Sequence, residues 1–384
     1  MDMPDRYATV IEALRSEERL RAIPSSMPHG MTDFTSNDYL GIAAAGELER
    51  EFVSSLGTHP GFTSSASRLL ACRQDEYAAL EEMIGEAYSR EALLFNSGYH
   101  ANVGCISALA SGEALMVCDK LVHASIIDGL RLSGTEYKRF RHNDMTSLRR
   151  LLDRCSPHHQ CIWVVVESIY SMDGDIAPLR ELVEIKKEYP CVRLYVDEAH
   201  ALGANGPTGL GLCEEMDVMN AVDLIIGTCG KAMASCGAFA AADGILRQFL
   251  LNSARSFIFS TMIPPVNVAY STFIFSRMRG MKREREHLAA ISVRLRESLR
   301  GMGLDTGPSC SHIVPLMAGS NRRAVEYASQ LRERGFMVMP IRRPTVAEGT
   351  ERLRFSLSAA MGNDDIDRLV SAVREVVKHH NNED

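Results

Sequence analysis

Polar side chains follow five apolar runs of the chain, at the points where each run ends. The five strings are Asn96–His100, Asp119 with His123–Ser125, Glu167–Asp175, Asp197–His200 and Thr228–Lys231. The carboxyl ends of parallel strands meet at one edge of a sheet, where loops carry the groups that bind ligands. If the runs are strands of one sheet, the strings therefore form one site.

The residue types in these strings suit pyridoxal phosphate (PLP). This cofactor needs a lysine for its Schiff base, an acid on its pyridine nitrogen and a cradle for its phosphate. Asp197 comes at the end of one apolar run, Lys231 lies one loop beyond another, and His200 could hydrogen-bond the phenolic oxygen of the ring. Gly98 at the start of a helix-like run and the hydroxyl of Thr228 could hold the phosphate.

Other chemistries that these strings suggest lack their required residues. Asp197–His200 reads D-E-A-H, as in helicase-type ATPases, which also need a phosphate-binding G-x-x-x-x-G-K-[ST] loop. The near match at Gly230–Lys231 has Ile225 in place of the first glycine and Ala232 in place of the serine or threonine. The glycines from 206 to 211 do not open a helix directly after a strand, so they do not indicate a dinucleotide site. The sequence from Cys155 to Cys161 holds two cysteines and two histidines without a second ligand pair, and we predict no metal there.

The elements that must position these groups alternate between helices and short apolar strands. Helices are predicted over about 5–21, 74–88 and 281–299 and near the C-terminus around 366–377. Strands are predicted at Ala92–Phe95, Ala114–Cys118, Tyr137–Phe140, Ile162–Val166, Val192–Val196, Leu224–Gly227 and Phe239–Ala242. Near-continuous apolar strands separated by helices indicate an α/β fold with a mostly parallel sheet covered on both faces.

Composition narrows the class of protein. The chain has 384 residues, 46% of them hydrophobic, and a net charge of −7. The acidic balance argues against a nucleic-acid partner, and no apolar stretch is long enough to span a membrane. The ten cysteines are spaced singly, without a C-x-x-C pair, which favours reduced thiols and a cytoplasmic location.

Longer strings give a specific resemblance. They are Ser36–Gly41, Phe95–Asn102, His123–Ser125, His142–Asp144, Ser171–Asp175, Asp197–His200, Thr228–Lys231, Ser260–Thr261 with Pro264–Pro265, Ile341–Val346 and Gly349–Arg354. In these strings the chain resembles the α-oxoamine synthases, which are fold-type I PLP-dependent transferases. The resemblance implies a large PLP-binding domain over 46–265, an N-terminal helix and segment over 1–45, and a smaller α+β domain over 266–384.

The resemblance also implies roles for individual residues. Lys231 would form the Schiff base, Asp197 would pair with the pyridine nitrogen, and His200 would pair with the phenolic oxygen. His123 would stack on the ring and donate a proton to the thioester carbonyl. The remaining cofactor contacts would come from Gly98, Tyr99, Ser168 and Thr228, with Ser260 and Thr261 reaching the phosphate of the neighbouring subunit in a homodimer. Substrate would be bound by Arg21, Asn37, Thr345 and Arg354.

The implied reaction is the decarboxylative condensation of L-alanine with a pimeloyl thioester, carried by coenzyme A or acyl carrier protein, in biotin biosynthesis. Glycine with acetyl coenzyme A, or serine with a long acyl thioester, stays open as a sister reaction. Cys72 and Ala232 depart from the glycine-rich pattern of the family, which leaves the acyl substrate less defined than the cofactor. An aminotransferase, or a binding protein that has kept the fold, is less consistent with these strings.

Overall fold

The computed structural model describes residues 3–23, 30–57, 61–110, 112 and 114–381. It divides into two compact units. The larger unit comprises Asp38–Ser171 and Ile176–Glu286, and the smaller unit comprises Met1–Asn37, Met172–Asp175 and His287–Asp384. The three-part division predicted at residues 45 and 265 stays a prediction.

Twelve strands occur in the described residues. They are β1 (Thr32–Asp33), β2 (Glu91–Phe95), β3 (Leu115–Asp119), β4 (Tyr137–Phe140), β5 (Ile162–Glu167), β6 (Val192–Asp197), β7 (Leu224–Thr228), β8 (Ala238–Ala242), β9 (Ile313–Met317), β10 (Phe336–Met337), β11 (Met339–Ile341) and β12 (Arg352–Ser356).

The α-helices of the same residues alternate with these strands along much of the chain. They are α1 (Met3–Ser16), α2 (Ile42–Ala45), α3 (Glu47–Ser55), α4 (Asp75–Tyr88), α5 (Gly98–Leu109), α6 (Ala124–Ser133), α7 (Met145–Cys155), α8 (Leu179–Glu188), α9 (Leu212–Glu215), α10 (Gly244–Ser253), α11 (Arg255–Ile258), α12 (Pro265–Met278), α13 (Lys282–Gly301), α14 (Asn321–Glu333) and α15 (Asn363–Asn381).

The larger unit is built on a seven-stranded sheet with the order β2-β8-β7-β6-β5-β3-β4. Every neighbouring pair is parallel except the two that β8 makes, with β2 and with β7. β3, β5 and β7 are buried along their whole length, as expected of a sheet covered on both faces. The predicted mostly parallel α/β fold is confirmed.

The strand predictions match closely because each strand is a continuous apolar run between turns. Tyr137–Phe140 agrees at both ends, five of the other strands of the sheet are one residue longer than predicted, and β3 is shifted by one residue. The N-terminal helix is shorter than predicted: α1 ends at Ser16, and backbone turns follow at Glu17 and Glu18. Differences of one residue at the ends of strands are of the size expected where element ends fray.

The smaller unit contains a three-stranded antiparallel sheet with the order β11-β12-β9 and a separate parallel pair of β1 with β10. Helices α14 and α15 belong to the same unit, which has the α+β character predicted for the C-terminal part. No helix in the described part of the chain is long and apolar enough to cross a membrane. No cluster of three or more His, Cys, Asp or Glu side chains there could hold a metal ion.

Candidate active site

The carboxyl ends of β2, β3, β5, β6 and β7 lead into one cavity of about 170 Å³ in the larger unit. The parallel order of these strands brings their polar C-terminal strings to the same edge of the sheet. The cavity is lined by Gly98, Tyr99, Asn102, His123, Ser125, Glu167, Asp197, Ala199, His200, Thr228 and Lys231. Seven of the predicted site residues therefore come together here, from segments more than one hundred residues apart.

Lys231 is half-buried in the loop after β7, and His200 holds its amine. The Nζ atom of Lys231 lies 2.8 Å from Nε2 of His200. The other ring nitrogen of His200, Nδ1, lies 2.6 Å from the hydroxyl of the buried Tyr39. The imidazole is thus fixed at both nitrogens, and it aims the lysine amine at the cavity.

Asp197 is the last residue of β6 and is almost fully buried. Its Oδ2 atom accepts a hydrogen bond of 2.8 Å from the side-chain amide of Asn102, and its Oδ1 atom accepts one of 2.9 Å from the backbone N–H of Ala199. Both donors are amides that do not release a proton at ordinary pH. This arrangement holds a carboxylate ready to pair with a cation in the cavity.

Glu167 is a second buried acid beside Asp197, at the matching register position of the neighbouring strand β5. Burial raises the pKa of Glu167 well above its ordinary value, and the negative charge of Asp197 raises it further. The Oε1 atom of Glu167 is buried and has no hydrogen-bond partner among the described residues. Burial and the nearby negative charge both disfavour ionisation of Glu167, so this side chain keeps its proton to a higher pH than an exposed glutamate does.

His123 precedes helix α6 and caps it. Its Nδ1 atom accepts a hydrogen bond of 3.2 Å from the backbone N–H of Ser125 and lies 2.7 Å from the hydroxyl of the same residue. A nitrogen that accepts from an amide carries no proton, so the neutral ring has its proton on Nε2. Burial lowers the pKa of His123, which favours this neutral form.

A phosphate cradle lies at the start of α5. Ser97 caps the helix through a 3.3 Å bond from the backbone N–H of His100. A Cβ atom at Gly98 would lie 3.7 Å from the side chain of Thr228, in the space beside the helix N-terminus. Helix N-termini bind anions through their unpaired N–H groups and the helix dipole. Together with one amine and one carboxylate, this donor set fits PLP.

Of the four remaining predicted cofactor residues, one lines the cavity and three lie outside its lining. Tyr99 lines the cavity and donates a 2.9 Å hydrogen bond to Asp128. Ser168 is fully buried, and its hydroxyl donates to Glu198 at 2.6 Å rather than facing the cavity. Ser260 and Thr261 lie outside the cavity lining, half-buried and exposed respectively, and their predicted contact with a neighbouring subunit stays a prediction.

The four predicted substrate residues lie in the smaller unit and form two pairs. Arg354 donates a 2.9 Å hydrogen bond to the side-chain oxygen of Asn37. Arg21 lies 3.4 Å from the hydroxyl of Thr345, and both are exposed. The pairing brings each predicted residue next to another of the same set, and their role in binding substrate stays a prediction.

Sequence reasoning did not assign roles to several residues of the cavity. Asn102 and Ser125, which line the cavity, and Tyr39, which contacts His200, were part of strings that carried the resemblance, but none was predicted to act. The same holds for Glu167, which directly followed the predicted strand Ile162–Val166. Helical spacing offered one signal, because Asn102 lies four residues after Gly98 and therefore on the same face of α5. The partners of Asn102 on distant strands leave no trace in a single sequence.

Residues 29–373 match the family model described as aminotransferase class I and II. An 8-amino-7-oxononanoate synthase from Haemophilus ducreyi is 44% identical over 351 residues, which cover 89% of this chain and 91% of that protein. Among solved structures, serine palmitoyltransferase (SPT) with PLP internal aldimine superposes with a TM-score of 0.89 at 26% identity and covers 99% of both chains. The 8-amino-7-oxononanoate synthase of Francisella tularensis gives a TM-score of 0.79 at 25% identity and covers 92% of this chain and 99% of that one.

The chain belongs to the aminotransferase class I and II family. These matches confirm two predictions: the protein is a PLP-dependent transferase of fold type I, and it is of the α-oxoamine synthase type. Several relatives are named 8-amino-7-oxononanoate synthase, which is the α-oxoamine synthase of biotin biosynthesis that the sequence resemblance implies.

Proposed function

We propose that this protein condenses L-alanine with a pimeloyl thioester to give 8-amino-7-oxononanoate, carbon dioxide and free thiol. The observation that carries the proposal is the cavity in which Lys231, Asp197, His200 and His123 converge. The 44% identity to a synthase of this name supports the choice of substrates. The 26% identity to SPT gives weaker support to serine and a long acyl chain.

PLP would be held by Lys231 at its aldehyde carbon, by Asp197 at its ring nitrogen and by the α5 N-terminus with Thr228 at its phosphate. When bound, PLP withdraws electrons from the Cα atom of the amino acid, and this stabilises negative charge there. The carboxylate of Asp197 would hold the ring nitrogen in its protonated form, which would strengthen that withdrawal.

The proton transfers fall to Lys231 and His123. Lys231, held by His200 at 2.8 Å, takes the proton from the Cα atom of alanine and later returns one. The Cα atom then bonds to the thioester carbonyl carbon, the thiolate leaves, and the carboxyl group of alanine leaves as carbon dioxide. The Nε2–H group of His123 donates to the carbonyl oxygen as negative charge develops, an interaction that contributes about 3 kcal/mol in comparable sites.

The proposal includes a homodimer in which Ser260 and Thr261 of each subunit reach the cofactor phosphate in the other. It also includes a cytoplasmic site of action. Each of the ten cysteines, all within the described residues, lies outside any disulfide, as expected where thiols stay reduced.

A substrate panel tests the proposal. Purified protein loaded with PLP is offered alanine, glycine or serine with pimeloyl, acetyl or palmitoyl thioesters, and released thiol and carbon dioxide are measured. We expect alanine with a pimeloyl thioester to exceed every other pair in kcat/KM, and Lys231→Ala to abolish the reaction. Preference for glycine with acetyl, or for serine with palmitoyl, would assign one of the sister reactions instead.

A further inference from the structure

We infer that Asn102 is a positioning residue that sets the hydrogen-bond direction at two active-site groups at once, Asp197 and His123. The evidence for this inference is a set of side-chain contacts in the larger unit. Its consequences for the reaction rest on the proposed function. Asn102 lies on α5 and is 2% exposed, so its amide must satisfy its hydrogen bonds within the protein.

Chemistry fixes the orientation of the Asn102 amide. An ionised Asp197 can only accept, so the group 2.8 Å from its Oδ2 atom must be the NH₂ of Asn102. The amide oxygen then faces the other way, where the hydroxyl of the buried Tyr195 donates to it at 2.6 Å. Tyr195 therefore holds the amide in the one orientation that serves Asp197.

The second hydrogen of the same NH₂ group starts a relay to His123. It is donated to the hydroxyl oxygen of Ser125 at 2.9 Å. Because that oxygen accepts from Asn102, the hydroxyl hydrogen of Ser125 is directed to Nδ1 of His123, 2.7 Å away. The relay runs in one direction, from Tyr195 through Asn102 and Ser125 to His123.

The consequence is a fixed tautomer. With Nδ1 accepting from Ser125, the neutral ring of His123 presents Nε2–H to the cavity as a donor. One amide thus keeps Asp197 supplied with a hydrogen bond and directs the hydroxyl of Ser125 to Nδ1 of His123, which supports the donor form that the backbone N–H of Ser125 also favours.

Asn102→Asp tests the direction of the relay. A carboxyl group carries at most one proton, so it cannot donate to both Asp197 and Ser125. With that proton held against Asp197, the hydroxyl of Ser125 turns to the same carboxyl group and donates to it, so it no longer donates to Nδ1 of His123. In the variant, Nδ1 keeps only the hydrogen bond of 3.2 Å from the backbone N–H of Ser125, whereas in the parent it also accepts from the hydroxyl at 2.7 Å.

The readout is nuclear magnetic resonance of ring-¹⁵N-labelled histidine in cofactor-free protein, with His123 assigned by its loss in His123→Gln. We expect both proteins to show an unprotonated Nδ1 and a protonated Nε2, with the ¹⁵N signal of Nδ1 in folded Asn102→Asp shifted towards that of a nitrogen that accepts no hydrogen bond. Unchanged His123 signals in the folded variant, or a parent protonated on Nδ1, would overturn the inference.

A second pair of variants keeps the test open if Asn102→Asp does not fold. Tyr195→Phe removes the hydroxyl that orients Asn102, and Tyr88→Phe is its matched control. Tyr88 is also fully buried and donates a single 2.9 Å hydrogen bond, to the carbonyl of Leu210 outside the cavity lining. Both variants lose one buried hydroxyl, so similar drops in melting temperature are expected.

Only Tyr195→Phe should weaken PLP binding, measured by equilibrium dialysis, by about fivefold, the equivalent of one hydrogen bond. Equal PLP affinities in the two variants would contradict a positioning role for Asn102. Failure of the parent to bind PLP would instead contradict the proposed function, and the histidine spectra would still decide the inference.

Discussion

At the scale of single residues, the site separates the roles of two neighbouring acids. Asp197 accepts two amide hydrogen bonds, a set of donors that suits a carboxylate, whereas Glu167 is buried with an oxygen that has no partner among the described residues. The same separation of environments gives paired carboxyl groups different protonation states in other enzymes. The charged acid serves the ring nitrogen, and the protonated one limits the negative charge in the cavity.

Glu167→Gln should change how stability depends on pH. The folded-state pKa of Glu167 is raised above its ordinary value of 4.5, so its protonated form is favoured by folding. The parent therefore loses stability as pH rises above 4.5 towards that raised value. The variant lacks this loss, and its melting temperature relative to the parent should rise by about 2 °C or more between pH 5 and pH 8.

The measurement is thermal unfolding of cofactor-free protein at several pH values. The exposed Glu82→Gln serves as the matched control and should keep a constant offset from the parent. A constant offset for Glu167→Gln as well would show that Glu167 is ionised in the folded protein.

The residues that the sequence could predict are those whose meaning is local. Asp197 and Lys231 each follow an apolar strand, and the order of types in those loops is enough to suggest PLP. Asn102 is different, because its role depends on Tyr195 and Asp197, which lie more than 90 positions away. Such contacts arise only when the parallel sheet and α5 are packed together, so a single sequence does not reveal them.

At the scale of elements, the packing of α5 against α6 sets the distance between Asn102 and His123. Gly129 lies in α6, and a Cβ atom there would be 2.9 Å from Cβ of Ile106 and 3.2 Å from the carbonyl oxygen of Asn102, both in α5. Only a glycine allows this approach without displacement. The sequence indicated a helix-like run beginning at Gly98, but it predicted neither α6 nor this close crossing.

Gly129→Ala should force the two helices apart. We expect a loss of about 1–3 kcal/mol in the free energy of unfolding, as for other overpacked cores. PLP affinity should fall as well, because α5 carries Asn102 and α6 begins directly after His123. Denaturant unfolding and equilibrium dialysis measure the two effects.

Gly301→Ala is the matched control, because a Cβ atom at that position of α13 would meet no atom within 4 Å. It should leave both quantities close to those of the parent. If Gly129→Ala behaved in the same way, the close crossing would not set the geometry of the site.

At the scale of the whole molecule, the proposed homodimer explains why two predicted phosphate-binding residues lie outside the cavity lining of a single chain. Ser260 and Thr261 follow α11 and have side chains at least partly open to solvent. Placed against a neighbouring subunit, their hydroxyls could complete the phosphate cradle formed by α5 and Thr228.

Mixed dimers test this sharing. Subunits with Lys231→Ala are combined with subunits that carry Ser260→Ala and Thr261→Ala, and the heterodimer is isolated by two affinity tags. If hydroxyls cross between subunits, one site of the heterodimer holds both defects and the other holds none. We expect one site with parent PLP affinity and half the parent activity per dimer.

If each subunit used its own Ser260 and Thr261, both sites of the heterodimer would carry a defect. No site of parent affinity would then be found. Homodimers of each variant, measured alongside, show the affinity and activity that each defect leaves.

The most direct test of the account is to locate the bound cofactor chemically. Protein loaded with PLP is reduced with borohydride, digested, and analysed by mass spectrometry. We predict that the added pyridoxyl phosphate mass lies on the peptide containing Lys231, at one equivalent per chain, and that Asp197→Ala lowers its yield at limiting PLP. Attachment at another lysine, or none at any, would contradict the assignment of this cavity.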